Sequence, residues 1–310
     1  MIPTIRYIAV VGAGAMGAAY ASLFKAAPDL QVAFVARGER RRRLERNPLI
    51  VNGTPYTIPV VHPDRATRPA DLVVVALKHH HLEDALKDIK AVVGEDTVIL
   101  SVMNGLESEA SIGAVCGRQG LVYAVAVGID AVRQGDAFVF GNPGRIIFGR
   151  DAPVPDDPVV TRLREALTRA AIPHEVPADI QRVMWWKFMI NVGVNQASAV
   201  LGAPYGVFQT SPDARALMTA LMQEVITLAD RSGIGLGHAD VDAWLDILAT
   251  LSPDGKTSML QDIEAGRKTE VELFAGHVVA LGRKHQVPTP VNATILKIIK
   301  VLENIPRKTG

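Results

Sequence analysis

The chain has 310 residues, with 33 Lys and Arg, 32 Asp and Glu, and a single cysteine. Its length exceeds the roughly 250–300 residues at which a single hydrophobic core stops growing, so we expect two domains. The net charge of +1 argues against a protein that binds nucleic acid or a membrane surface, and the longest apolar runs are strand-sized, well short of the ~18 residues that span a bilayer.

The first half of the chain alternates apolar strand-like runs with helical stretches, which is typical of a parallel, doubly wound sheet. In chain order we predict a strand at 5–11, a helix to about 27, a strand at 31–36, a helix at 40–46, a strand at 72–77, a helix at 81–92, and strands at 97–102 and 121–127. Short runs broken by glycines over 129–148 indicate an antiparallel meander added to this sheet. A surface loop at 151–158 then leads to a helix at 159–170.

Strand signals largely stop after about residue 172, and helical patterns continue towards the C-terminus. The predicted helices span 179–201, 213–232, 239–251, 259–286 and 292–304. The sequence therefore predicts an α/β protein, with an N-terminal Rossmann-type doubly wound sheet in residues 1–172 and an all-helical C-terminal domain in residues 173–310.

A glycine-rich loop follows the first strand and matches G-x-G-x-x-G; it consists of Gly12, Ala13, Gly14, Ala15, Met16 and Gly17. In this motif the first glycine permits a tight turn, the second lets the backbone approach a pyrophosphate, and the third lets the helix pack against the strand. The anion lies on free N–H groups at the positive end of the helix. Because a predicted strand precedes the loop and a predicted helix follows it, we interpret it as a dinucleotide site rather than a simple tight turn.

The end of the second strand distinguishes NADP from NAD. An NAD site usually has Asp or Glu about 20 residues beyond the loop, to bind the ribose 2′-hydroxyl. Arg37 occupies that position here, and a guanidinium can bind a 2′-phosphate with two hydrogen bonds. Arg40 and Arg41 could add charge, the alternative being that these arginines are simply solvated. The pattern favours NADPH.

The first long helix of the second half carries Lys187, Asn191 and Asn195 at i, i+4 and i+8. Residues at this spacing share one helix face, with a drift of about 40° per step. Their neighbours are mostly apolar, so these groups need partners, either in a site or in an interhelical polar network. They suit reduction of a 2-keto acid, because a lysine can protonate the keto oxygen and stabilise the developing alkoxide while amides orient the substrate.

Along its whole length, the chain resembles the ketopantoate reductase (2-dehydropantoate 2-reductase) family. The motifs that carry the resemblance are GAGAMG at Gly12–Gly17, Lys78, Asn104-Gly105, Trp186-Lys187 with Asn191 and Asn195, and the segment from Ser258 to Glu270. The resemblance implies an NADP-binding Rossmann-type domain in residues 1–172 and a helical substrate-binding and catalytic domain in residues 173–310. It also implies reduction of 2-dehydropantoate to pantoate in pantothenate biosynthesis, on the way to coenzyme A.

The resemblance implies roles for the matching residues of the helical domain. Lys187 would be the general acid and the ligand of the keto oxygen. Glu270 would orient that lysine or bind the product hydroxyl. Asn191 and Asn195 would bind the substrate hydroxyl, and Ser258 its carboxylate.

Three cofactor contacts are likewise implied. Lys78 would contact NADPH near the ribose or pyrophosphate, Arg37 would bind the 2′-phosphate, and Asn104 would lie beside both the nicotinamide ribose and the substrate. Lys78 could instead be a solvated loop residue. Asn104-Gly105 could also form a turn that favours positive φ, and the two interpretations are compatible.

Ser258 and Glu270 have a second interpretation as well. Ser258 with Gln261 fits an S-x-x-Q capping box, so it could cap a helix, bind substrate, or do both. Glu270 would lie about 18 Å further along an uninterrupted helix and 120° around it. Both residues can reach one substrate only if Ser258 is at the helix entry and the chain bends, for which Gly266 is the candidate.

No metal site is expected, because three consecutive histidines, His79–His81, cannot all face one ion from a regular helix. Cys116 is interpreted as a packing residue. A single cysteine can form no internal disulfide, and no leader pattern precedes the first strand, so the cytoplasm is the expected compartment. The expected partner is a small 2-keto acid, with a homodimer possible through apolar faces of the last helices.

Three alternatives to ketopantoate reduction stay open at the level of sequence. The first is reduction of a different branched or hydroxylated 2-keto acid, because specificity depends on pocket side chains that sequence does not place. The second is a non-catalytic NADPH sensor, which has no evident need for a lysine acid. The third is a β-hydroxyacid dehydrogenase, against which the lysine–asparagine helix argues.

Overall fold

The computed structural model describes residues 4–305. The chain divides into two compact units, Met1–Val183 and Met184–Gly310. The first unit combines sheets with helices and the second is helical, so the predicted fold class is confirmed. The boundary predicted after residue 172 differs from this division, because a short strand at His174–Glu175 still pairs with the sheet of the first unit.

The elements of the first unit follow one another as an α/β alternation. The strands are β1 (Tyr7–Val11), β2 (Gln31–Val35), β3 (Leu49–Val51), β4 (Thr54–Tyr56), β5 (Val60–Val61), β6 (Leu72–Val75), β7 (Val98–Ser101), β8 (Leu121–Ile129), β9 (Val132–Gln134), β10 (Ala137–Val139), β11 (Pro143–Gly149) and β12 (His174–Glu175). The α-helices are α1 (Ala15–Ala26), α2 (Gly38–Arg46), α3 (Leu82–Val92), α4 (Ser108–Cys116) and α5 (Pro158–Arg169).

The main sheet has eight strands in the order β12-β11-β8-β7-β6-β1-β2-β5. Neighbours from β5 to β8 are parallel, and β11 is antiparallel to β8. The direction of winding reverses at β1, which lies between β2 and β6. In open α/β sheets, ligands bind beyond the carboxyl ends of the strands at such a reversal.

Strand β6 shows why this sheet is buried on both faces. Its four residues are all buried, and successive side chains point to opposite faces. Leu72 and Val74 join one apolar cluster with α1 and α5, whereas Val73 and Val75 join a second with α3. A continuous apolar run without alternation is what a strand covered on both sides requires.

The predicted antiparallel meander over residues 129–148 is only partly correct. Strand β11 does extend the main sheet, but β9 and β10 form a hairpin in a separate four-stranded sheet with β3 and β4. The cause is a parallel pairing of β10 with β3, in which Ala137 lies opposite Ile50. Strands as short as β3 and β4 leave too little pattern for sequence analysis to detect.

The second unit consists of helices. They are α6 (Ile180–Ile190, which begins just before the division), α7 (Gln196–Leu201), α8 (Tyr205–Thr210), α9 (Pro212–Arg231), α10 (His238–Thr250), α11 (Ser258–Glu264), α12 (His277–His285) and α13 (Pro290–Asn304). Two π-helical segments occur as well: the first π segment is Asn191–Asn195, between α6 and α7, and the second is Glu272–Gly276, ahead of α12. Helix α9 packs against α8, α12, α13 and the first π segment.

The single helix predicted over residues 259–286 is wrong. Helix α11 ends at Glu264, and Gly266 follows in the left-handed region with φ +62°. The N–H of Arg267 then bonds back to the carbonyl of Asp262 at 2.8 Å, which closes the helix end in the manner that glycine favours. The chain then continues as the second π segment and α12. Gly266 therefore supplies the bend without which Ser258 and Glu270 could not both reach one substrate.

Residues 4–305 contain neither a candidate membrane span nor a candidate metal site. Within that range no helix combines the length and apolar character needed to cross a bilayer. The same residues hold no group of three or more His, Cys, Asp or Glu side chains arranged to bind a metal ion.

Candidate active site

The glycine loop joins β1 to α1 and excludes side chains at two of its positions. Gly12 has a φ of +110°, and a Cβ there would lie 2.3 Å from the carbonyl oxygen of Ala76. A Cβ on Gly17 would lie 1.8 Å from the carbonyl oxygen of Gly12. Both obstacles are backbone atoms that no rotamer change can move. The strand, the loop and the helix therefore pack in this way only with glycine at both positions.

Gly14 is in a different situation, because a Cβ there would meet no atom within 4 Å. It is the exposed N-cap of α1, makes no side-chain cap bond, and precedes a helical turn whose described residues include no acid. The N–H groups of that turn can receive an anion, and the missing side chain leaves space for it. Ala13, Ala15 and Met16, all partly buried, complete the loop. The loop fits the pyrophosphate of a dinucleotide.

Arg37 lies at the N-cap of α2 and forms ion pairs with two carboxylates. Its Nη2 atom lies 2.5 Å from Asp88 Oδ1 and 3.1 Å from Asp64 Oδ1. The hydrogen bond with Asp88 and the charges of both aspartates raise the pKa of Arg37 above its ordinary value. Sequence reasoning missed both partners, since Asp88 lies on α3 and Asp64 follows β5, a strand of two residues.

Further basic side chains lie near the end of β6. Burial lowers the pKa of His81, and the charges of Arg40 and Lys78 lower it further. Arg40 and Lys78 are therefore both within electrostatic reach of one imidazole. Arg41 instead pairs with Glu45 inside α2 at 2.7 Å. Of the two additional arginines considered for the 2′-phosphate, Arg41 is therefore paired within its own helix, whereas Arg40 acts on His81.

Asn104 lies in the loop after β7, partly buried, and Gly105 has φ +90°, so the predicted turn is present.

A buried hydroxyl chain begins at the end of β7 and runs to α4. The Oγ atoms of Ser101 and Ser108 are 2.8 Å apart, and Ser108 donates to Glu109 Oε2 at 2.8 Å. Burial raises the pKa of Glu109 to about 7. Sequence analysis did not identify Glu109, because α4 was not predicted as a helix.

The sequence-predicted cofactor residues all follow neighbouring strands of one parallel sheet. The glycine loop follows β1, Arg37 follows β2, Lys78 follows β6, and Asn104 follows β7. These four strands are adjacent in the order β7-β6-β1-β2. Their carboxyl ends meet at one edge, so the first unit brings these residues to the same edge of the sheet at the point where the winding reverses.

Lys187, Asn191 and Asn195 follow one another along α6 and the first π segment. A π-helical turn bonds residue i to i+5 and holds more residues than an α-helical turn. The rotation between the two asparagines therefore differs from the ~40° drift that a regular α-helix would give. Asn195 Nδ2 donates to Asn191 Oδ1 at 3.4 Å, so the two amides lie side by side.

Lys187 and Glu270 lie close enough for their charges to interact. Burial lowers the pKa of Lys187 to about 8, and the carboxylate of Glu270 opposes this shift. Glu270 lies just ahead of the second π segment, where its carbonyl accepts a hydrogen bond from the N–H of Leu273 at 3.0 Å. A lysine with this pKa keeps most of its protons at neutral pH but releases them more readily than an ordinary lysine.

Ser258 is the first residue of α11 and is exposed. The capping interpretation of Ser258 is wrong, because Thr257 is the N-cap and its Oγ1 accepts from the N–H of Leu260 at 3.2 Å. Thr257 Oγ1 also donates to Ser198 Oγ at 3.1 Å, which ties the start of α11 to α7. Helix α11 packs against α7 and the first π segment, so Ser258 lies on an element in contact with the one that carries Asn191.

Gln196, buried directly after Asn195, connects the two π segments and was not identified from sequence. Its Nε2 donates to the carbonyl of Val192 at 2.7 Å, and its Oε1 accepts from the N–H of Ala275 at 3.0 Å. Nε2 also donates to Asn292 Oδ1 at 3.1 Å, and Asn292 Nδ2 donates to Glu224 Oε2 at 2.7 Å. No local pattern could reveal this network, because its members come from separate helices.

Comparison with known proteins gives one family over most of the chain. Residues 8–153 match the family described as Ketopantoate reductase PanE/ApbA, and residues 179–303 match Ketopantoate reductase PanE/ApbA C terminal. The 2-dehydropantoate 2-reductase of Aquifex aeolicus is 26% identical over 304 residues, covering 95% of this chain and 96% of that protein.

Solved structures share the whole fold. The 2-dehydropantoate 2-reductase of Geobacter metallireducens has a TM-score of 0.84 at 27% identity, covering 95% of this chain and 99% of that one. A D-mandelate dehydrogenase with NADH and anilino(oxo)acetate has a TM-score of 0.86 at 20% identity, covering 96% and 98%. At that lower identity the likeness shows the fold alone.

Proposed function

We propose, from the premise that this chain belongs to the ketopantoate reductase family, that it reduces 2-dehydropantoate to pantoate with NADPH. As a member it is an oxidoreductase that acts on CH–OH and C=O groups. The observation that carries the proposal is the partly buried Lys187, which interacts with Glu270 and precedes Asn191 and Asn195 on the same helical path. This arrangement combines a proton donor with neutral groups that can orient a polar substrate.

The proposed cofactor residues are those at the carboxyl edge of the main sheet. The glycine loop would hold the pyrophosphate, Arg37 the 2′-phosphate, Lys78 the ribose or pyrophosphate, and Asn104 the nicotinamide ribose. NADPH bound there would supply the hydride for the keto carbon. The D-mandelate dehydrogenase of the same fold was solved with NADH, so preference between the two cofactors must come from individual residues rather than from the fold.

In the proposed reaction, Lys187 donates a proton from Nζ to the keto oxygen. Its positive charge also stabilises the alkoxide that develops as the carbonyl is reduced. A pKa of about 8 keeps the ammonium protonated at neutral pH and close to the working range of a general acid. Glu270 favours the charged form of Lys187 and would hold it towards the substrate.

The remaining groups would bind and orient the substrate. Asn191 and Asn195 would hydrogen-bond the hydroxyl of 2-dehydropantoate, and Ser258 would bind its carboxylate. Amides and a hydroxyl can fix these groups without competing for the proton of Lys187.

We also propose that the reaction belongs to pantothenate biosynthesis in the cytoplasm, the compartment that a chain with one cysteine favours. A homodimer is proposed from exposed apolar residues on α13, such as Val301.

The test is steady-state oxidation of NADPH with a panel of 2-keto acids that contains 2-dehydropantoate, 2-ketoisovalerate and benzoylformate. We expect the highest kcat/KM for 2-dehydropantoate. Lys187→Ala should lower kcat by about 10²–10⁴-fold, the range for a positioned acid, while the variant melts normally and still binds NADPH. A keto acid that is clearly preferred over 2-dehydropantoate would reassign the substrate. Binding of NADPH without turnover of any keto acid would indicate a sensor.

A further inference from the structure

The cluster around Arg37 contains both kinds of group that distinguish the two nicotinamide cofactors. A carboxylate accepts a hydrogen bond from the ribose 2′-hydroxyl of NADH, whereas an arginine accommodates the 2′-phosphate of NADPH. Here Arg37 contacts Asp64 through two atoms, with Nη2 at 3.1 Å and Nη1 at 3.4 Å, and it contacts Asp88 at 2.5 Å. Among Arg37, Asp64 and Asp88, the two carboxylates therefore outnumber the single guanidinium.

The sheet explains why Arg37 and Asp64 meet. Strand β5 pairs in parallel with β2, with Val61 opposite Val35. Arg37 follows the carboxyl end of β2 and Asp64 follows the carboxyl end of β5. Both side chains therefore leave the same edge of the sheet side by side, next to the strand that precedes the glycine loop.

The two carboxylates differ in exposure. The side chain of Asp64 is 63% exposed, whereas that of Asp88 on α3 is 16% exposed. Asp88 is therefore the fixed partner that holds the guanidinium. Asp64 can rotate into solvent, and its other neighbour is His62, whose Nδ1 lies 3.8 Å from Oδ2. An incoming phosphate would displace Asp64 more easily than Asp88.

We propose that Asp64 sets the selectivity between NADPH and NADH at this edge, because it competes with the 2′-phosphate for Arg37 and accepts a hydrogen bond from the 2′-hydroxyl. The proposal rests on the proposed function in one respect, namely that the nicotinamide cofactor binds at the glycine loop. Its consequence is a site that takes both cofactors with a narrower preference for NADPH than Arg37 alone would give. Arg37 attracts the phosphate, and Asp64 reduces that advantage.

The test uses Asp64→Asn, which keeps the shape of the side chain and removes its charge. Dissociation constants for NADPH and NADH are measured by fluorescence titration of the full-length protein without a keto acid. We expect the ratio of the two constants to shift about 1.5- to fivefold towards NADPH, the scale of an exposed ion pair expressed as affinity. Asp64→Ser should shift the ratio in the same direction.

The matched control is Glu39→Gln. Glu39 is also an exposed acid near the start of α2, but it pairs with Arg42 and Arg46 instead of Arg37. Its loss should change the affinities for both cofactors equally. In an Arg37→Ala background, Asp64→Asn should give a smaller shift towards NADPH, because the carboxylate and the phosphate no longer compete for a guanidinium and only the contact with the 2′-hydroxyl of NADH remains to be lost.

Three results would overturn the proposal: an unchanged ratio in Asp64→Asn, the same shift in Glu39→Gln, or a shift of undiminished size without Arg37. Failure to bind either dinucleotide would reject it together with the proposed cofactor. Failure to reduce 2-dehydropantoate would reject only the proposed reaction, since the titrations contain no keto acid.

Discussion

Burial lowers the pKa of Lys187 to about 8, and Glu270 partly opposes this effect. The proposed acid must be protonated to act, so kcat/KM should fall as the pH rises through about 8. Glu270→Gln removes the charge that favours the ammonium and should move this alkaline limb to lower pH. Profiles of kcat/KM between pH 6 and 10 for both proteins provide the measurement. A limb that stays in place, or moves upward, would contradict the assignment of the limb to Lys187.

Ser258 and Thr257 allow substrate binding and helix capping to be separated with adjacent substitutions. Ser258→Ala should raise KM for the keto acid and leave the melting temperature unchanged, because Thr257 is the cap. Thr257→Ala should lower the free energy of unfolding by about 0.5–2 kcal/mol, the usual loss for an N-cap. Steady-state kinetics and thermal melts of both variants provide the comparison. An unchanged KM in Ser258→Ala would remove this residue from the substrate site.

Single residues with a strong chemical signature could be predicted from sequence, whereas their partners could not. The glycine loop, Arg37 and the Lys187 face have recognisable local patterns. The acidic partners of Arg37 come from a helix and from a strand of two residues, and no pattern of spacing connects them. Contacts between distant parts of the chain depend on the register of the sheet, which local sequence does not contain.

At the scale of elements, the two π segments are held together by Gln196. Gln196→Met keeps the volume but leaves Val192 and Ala275 without their side-chain partner. We expect a loss of roughly 1–3 kcal/mol in unfolding free energy, the cost of unsatisfied buried groups. We also expect a lower kcat and an alkaline limb moved to lower pH, because the second π segment begins two residues after Glu270 and its displacement would weaken the pairing with Lys187.

Gln209→Met is the control for this prediction. Gln209 Nε2 donates to the carbonyls of Leu248 and Leu251, both at 2.9 Å, and so ties α8 to α10 within the same unit. Its loss should destabilise the protein comparably without moving the pH profile. Equal kinetic effects in the two variants would show that Gln196 acts through general stability alone.

The elements that sequence analysis missed share a physical cause. Helix α4 mixes small, polar and apolar residues without a clear apolar face, and α8 has only six residues. The end of α11 at Gly266 was not predicted as a helix end. Gly266 was named only as the place where the chain would have to bend for Ser258 and Glu270 to act together. Long periodic segments such as α9 and α13 were predicted within a few residues of their bounds, because an apolar stripe on one face of a helix is visible locally.

At the scale of the whole molecule, the α/β alternation followed by helices sufficed to predict the fold class. The free energy of unfolding, a property of the whole molecule, also depends on pH, and Glu109 contributes to this dependence. Its pKa in the folded protein is about 7, against an ordinary value of 4.5. Between these values the folded state retains a proton that the unfolded state releases, so the free energy of unfolding falls as the pH rises through this window.

The predicted size of this effect is on the order of 3 kcal/mol between pH 4.5 and pH 8, since one pKa unit corresponds to about 1.4 kcal/mol. Glu109→Gln has no charge to bury and can still accept a hydrogen bond from Ser108. Relative to the wild type, the variant should gain stability steadily from pH 5 to pH 8. Denaturant unfolding of both proteins at several pH values is the measurement. If the difference in unfolding free energy between the two proteins does not vary with pH, the pKa of Glu109 is not raised in the folded state.

The glycine loop also limits how this sequence can diverge. Gly12 and Gly17 are each blocked by backbone atoms, and the atom that blocks Gly17 belongs to Gly12 itself. No compensating side-chain change elsewhere can make room, so selection for folding alone removes variants at both positions. Gly14 is open on all sides, and an alanine there would leave the fold intact. The fold therefore does not require a glycine at this position, and the proposed cofactor is what would require it. We expect lineages that lose the cofactor to lose Gly14 before Gly12 or Gly17.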